Sequence, residues 1–101
     1  MSTRVFPSYY SPSGFQTLSV GATAVGFTLP SSPTCRAVLL TLETAQIRMR
    51  LDGTDPTAAV GHLVQINDAF EITNIDAINQ AMFIAVSATA SLTITYFGGS
   101  E

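Results

Sequence analysis

Residues 48–57 read RMRLDGTDPT and hold two of the chain's four arginines and two of its seven acids. Three kinds of chemistry can be asked of this stretch. A calcium site would use Asp52 and Asp55, but calcium takes six to eight oxygens from several carboxylates at fixed steps. Here two carboxylates stand three apart, with no D-x-D-x-D-G run and no distal glutamate. A His-based metal centre needs more than one histidine, and His62 is the chain's single one. Cys35 with His62 has the types of a nucleophile and its base, yet nothing in the sequence orders them and no Gly-rich oxyanion loop follows either. SVGATAVG carries two glycines without the G-x-G-x-x-G step or a following helix. No catalytic, metal or cofactor set emerges, and an enzyme is not expected.

What remains for the stretch is mechanical. Asp52 and Gly53 start and permit a turn, while Pro56 fixes its own φ and moves Asp55 out of the helical region. Asp52, Gly53, Asp55 and Pro56 are thus expected to form a rigid corner. Arg48 and Arg50 alternate with apolar residues, which puts them on one face of a strand about 7 Å apart. Two cations that close need solvent or carboxylates between them. They read either as a solvated face or as an interface whose arginine forks meet Glu43, Asp68 or Glu71 of a neighbour.

The elements that position this corner alternate with period 2. FQTLSV, TAVGFTLP, CRAVLLTLE, AQIRMRLDG, HLVQI, DAFEITN, AMFIAVSA and SLTITYF are short, apolar on alternate residues and separated by turn formers. About eight such strands predict an all-β, antiparallel β-sandwich, jelly-roll-like, over residues 15–101. Val25, Phe27 and Leu29 share one face. Within 38–51 the pattern suggests a hairpin with Leu42 opposite Ile47, Leu40 opposite Met49 and Val38 opposite Leu51. A second hairpin would set Met82, Ile84 and Val86 against Leu92, Ile94 and Tyr96. NIDAINQA offers either one capped helical turn, with Asn74 as the cap, or an irregular loop. Residues 1–14, rich in Pro, Ser, Tyr and Gly, read as an extended N-terminal arm in which Tyr9 and Tyr10 serve as interface anchors.

Composition narrows the partners. Hydrophobic residues make up 47% and charged residues 11%, against about 25% charged in an average domain. There is no lysine, and the net charge is −3. Nucleic-acid binding needs clustered positive charge, so it is not expected. No run of about 18 apolar residues suggests a membrane span, and the first residues lack a signal-peptide core. The lone Cys35 reads as a small buried hydrophobe. A charge-poor surface favours coverage by neighbours, which points to an oligomer or an assembled particle.

The run ETAQIRMRLDGTDPTAAVGHLVQINDAFEI, with the closing ASLTITYF, resembles a group of small proteins encoded by tailed bacteriophages. The shared pattern is carried by Ile47, Arg48, Arg50, Asp52, Gly53, Thr54, Pro56, Thr57, Gly61 and Leu63, ending at Tyr96 and Phe97. It spans about residues 35–97. The resemblance implies a virion structural protein made in the host cytoplasm: a capsid decoration (cement) protein or a neck or tail accessory. Its partners would be the major capsid protein or neighbouring virion proteins, and its own copies, with a trimer expected. A tail-borne receptor- or carbohydrate-binding module is the alternative, although its aromatic platform would lack tryptophan. No catalytic residue carries over.

Overall fold

Alternation decides the layers. The computed structural model describes residues 11–29 and 35–98. It contains β1 (Ser11–Val20), β2 (Val25–Gly26), β3 (Cys35–Glu43), β4 (Ile47–Arg50), β5 (His62–Val64), β6 (Ala69–Ile72), α1 (Ile75–Gln80), β7 (Met82–Ala85) and β8 (Ala90–Gly98). Two four-stranded antiparallel sheets pack face to face, in the orders β1-β8-β3-β6 and β2-β7-β4-β5. Strand pairing is nested: β1 with β8, β2 with β7, β3 with β6 and β4 with β5. The chain is therefore one long hairpin, folded over so that β8 also meets β3 and β7 also meets β4. This is the jelly-roll arrangement of an eight-stranded double sheet, and the expected fold class holds.

The core lies between the sheets. Val38, Leu40 and Leu42 of β3 are fully buried, as are Leu92 and Ile94 of β8, Ile47 of β4 and Phe83 of β7. Val25, Phe27 and Leu29 all pack against this cluster, so their shared face was read correctly. Phe27 meets Phe83 edge-on, with ring centroids 5.2 Å apart, and Tyr96 at 6.0 Å. Phe83 and Tyr96 come from opposite sheets, so Phe27 ties the layers together. Such aromatic pairs contribute about 0.5–1.5 kcal/mol beyond their buried area.

Both expected hairpins are corrected. Leu42, Leu40 and Val38 pair with Leu92, Ile94 and Tyr96 of β8, not with β4. They face Ile47 and Met49 across the core instead of along a ladder. Two local features divert the chain. Thr44 holds φ at 83°, and the Ala45 amide donates to the Glu43 carbonyl at 3.0 Å, a three-residue γ-turn. The backbone of Leu42 is also engaged elsewhere: its amide donates to the Asp68 carbonyl at 3.0 Å and its carbonyl accepts from Asn67 at 2.8 Å.

The second hairpin fails likewise, because β7 and β8 belong to different sheets. Its phase was also wrong. Phe83 and Ala85 point into the core, whereas Met82, Ile84 and Val86 are only partly buried. AMFIAV is apolar at every position, so period 2 cannot choose a phase there; the largest ring takes the core.

The arm boundary shifts. Residues 11–14, expected in the arm, belong to β1, where Ser11 pairs with Gly98 and Gly14 with Tyr96 around an irregularity after Pro12. Residues 1–10, with Tyr9 and Tyr10, lie outside the described residues. Between the two options for NIDAINQA, the helix is realised: Asn74 caps it, accepting from the Ala77 amide at 3.0 Å. Ile78 is the helix residue that reaches the core.

Candidate interaction surface

Each residue of the arginine–turn stretch has a mechanical task within the chain. β4 leaves the sheet at Arg50, whose Nε donates to Asp52 Oδ1 at 3.1 Å and whose terminal nitrogen donates to Oδ2 at 2.6 Å. This two-point fork holds the Asp52 carboxyl below its usual range, and the same hydrogen bonds raise the Arg50 guanidinium. Asp52 Oδ1 also accepts from the Thr54 amide at 3.3 Å, closing an Asx-type turn. Gly53 follows at φ 84°, a conformation a side chain resists. Pro56 is fully buried, and Asp55 points to solvent. The corner expected at Asp52, Gly53, Asp55 and Pro56 is present.

The chain then makes a second tight reversal. Thr57 and Val60 exchange backbone hydrogen bonds at 3.0 and 3.2 Å. Arg48 reaches over this loop, donating to the Gly61 carbonyl at 3.0 Å and to the Ala58 carbonyl at 3.4 Å. Gly61 sits at φ 137°, where a Cβ would come within 3.1 Å of the Met49 carbonyl oxygen and 3.3 Å of its amide nitrogen. Only glycine lets the loop lie this close to β4. Arg48 and Arg50 are thus partly buried clamps on the two limbs of one loop, and both hold partners within the chain. Among their expected carboxylate partners, Asp68 accepts from the Gln65 amide at 2.9 Å, closing the turn before β6.

Past the corner's exposed Asp52 and Asp55, the segment that follows presents apolar side chains to solvent. Val60 is 52% exposed, Leu63 42% and Ile66 45%. Beside them, where the edge strands β5 and β6 leave the sheets parted, runs an open groove of about 400 Å³ lined by Met49, Leu51, Leu63, Val64 and Phe70, with His62 and Asp68 at its rim. A neighbouring hollow of about 560 Å³ shares Leu51 and His62 and reaches Arg50, Asp52 and Val60. Nothing in the sequence marks Val60, Leu63 or Ile66 as a surface. The nearest signal is VGHLVQI, a charge-free segment: Leu63 is out of phase with buried Val64, and Val60 and Ile66 lie beyond the two ends of β5.

The other candidates separate. Cys35 is buried in the first sheet opposite Gly98, its Sγ 3.4 Å from the Ala37 carbonyl, and burial pushes its thiol up. His62 lies in the second sheet opposite Met49. Among the described residues, no three His, Cys, Asp or Glu side chains gather as a metal site would require.

Comparison of the chain with protein-family models, with curated proteins and with solved structures gives no match.

Proposed function

We propose that this chain is a structural protein of a tailed-bacteriophage virion, a capsid decoration protein that binds and stabilises the shell. The observation that carries this reading is the exposed apolar set Val60, Leu63 and Ile66, on and flanking β5 next to a corner clamped by Arg48 and Arg50. A rigid mount removes the ordering cost that a mobile loop meets on binding. Each of these half-exposed side chains would contribute about 1 kcal/mol on coverage. That is weak singly and becomes durable when repeated over a shell through linked subunits. The charge-poor, lysine-free composition and the phage-like pattern support the same reading.

The test is co-sedimentation with expanded, empty capsids, comparing the wild type with the double variant Val60→Glu, Leu63→Glu. The arginines are the wrong targets, since replacing them opens the corner itself. The double variant is expected to keep its thermal unfolding profile and to lose capsid binding. Equal binding by both proteins would remove this surface from the reading. Glycan binding without capsid binding would favour a tail-borne receptor module.

A further inference from the structure

The four sheet edges are unequal. β2 has two residues, β5 three and β6 four; β1 has ten and forms the outer edge of the first sheet. Native proteins blunt long edges with charges, prolines or bulges, because an unpaired strand recruits another. β1 reads SPSGFQTLSV, without a single charge. Pro12 and the irregularity before Gly14 blunt only its first residues. From Gly14 to Val20 the ladder to β8 is regular. Among the described residues no further backbone hydrogen bond reaches this strand. Thr28 does approach it, but through the Gln16 side chain, whose Oε1 accepts from the Thr28 amide at 3.3 Å and from the Tyr96 hydroxyl. That contact is made through a side chain, and among the described residues the β1 edge has no backbone partner beyond β8. On the outer face, Phe15 is 68% exposed, followed by exposed Thr17 and Ser19.

We propose that two copies of this chain pair edge to edge through residues 14–20 of β1, antiparallel about a twofold axis, so that their first sheets become one eight-stranded sheet. The occupant is a second copy because the strand is self-complementary. In a twofold antiparallel pair, residues of one phase meet residues of that phase. Phe15, Thr17 and Ser19 then face one another on the outside, and Gln16 and Leu18 on the inside. No like charges are brought together, whereas a charged residue near the axis would oppose its own copy. This pairing needs only the isolated chain, so it stands or falls apart from the shell reading. It also competes with the threefold arrangement expected from the resemblance.

Sedimentation equilibrium of the full chain over a concentration series tests it. The wild type is expected to approach twice the 10.7 kDa chain mass. Thr17→Lys, on the solvent side of the strand, is expected to weaken association about tenfold or more while leaving circular dichroism, and Tm at concentrations where both proteins are monomeric, in place. If that variant folds poorly, Thr17→Glu makes the same comparison. A wild type that stays monomeric, a mass three times that of the chain, or a dimer indifferent to the added charge in a folded variant each overturns the pairing.

Discussion

Thr44 and Gly61 occupy backbone conformations that their neighbours impose, and they differ in how well the side chain suits the task. Thr44 is β-branched at φ 83°, where such a residue is strained. Thr44→Gly is expected to stabilise the protein by about 0.5–1 kcal/mol, read as a higher urea midpoint with an unchanged m-value. Gly61 already suits its φ of 137° and its contact with β4. Gly61→Ala is expected to cost about 1–3 kcal/mol and lower Tm. Tyr96 gives a pH dependence. Burial raises its hydroxyl to about 12 from an ordinary 10.0. The unfolded chain therefore loses this proton first, so the contribution is complete below pH 10 and disappears as pH climbs towards 12. Tyr96→Phe should flatten the fall in stability across that window, measured by urea unfolding at stepped pH; an unchanged slope would assign the fall to other groups.

At the scale of elements, the helix depends on its cap more than on its length. Six residues are too few to be helical alone, so α1 is held by the Asn74 side chain and by Ile78 in the core. Asn74→Ala is expected to cost about 1 kcal/mol in thermal or urea unfolding, and Asn74→Asp about nothing. The arginine–turn segment makes the complementary point. A pattern of arginines, glycine and proline that could be taken for a site is, in its geometry, the framework of a corner, and the exposed apolar residues lie on the segment that follows it. Element pairing was also where local sequence reasoning failed. Leu42 and Ile47 do share the core, but as members of opposite sheets.

For the whole molecule, nesting makes the ends decisive. β8 sits between β1 and β3 in the middle of the first sheet, so β1 has no partner in that sheet until β8 has joined. Deleting residues 1–10 is expected to leave the sandwich and its Tm essentially unchanged, because the deletion stops short of β1. Extending it to residue 20 removes an edge that covers β8 and buries Val20, and cooperative unfolding should be lost. Circular dichroism melts of the two truncations make the comparison. If the shorter one fails to fold, residues 1–10 belong to the core after all. Pairing between the two ends of the chain also implies refolding in milliseconds to seconds, not microseconds.

The sequence by itself determined the class of fold, the inward phase of β3 and β8 and the corner at 52–56, and it offered Asn74 as a cap without choosing between helix and loop. Each follows from local rules: period-2 alternation, side-chain capping and turn stereochemistry act within a few residues. Which strand lies beside which was settled by tertiary structure, since Ile47 and Met49 offer Leu42 and Leu40 the same apolar alternation as Leu92 and Ile94 do. Tertiary structure also chose the phase of β7, where every residue is apolar and the inward place goes to the side chain that fills it. The roles of Arg48 and Gly61 were hidden for a related reason: they depend on two segments meeting across a loop, and no local pattern records that closeness.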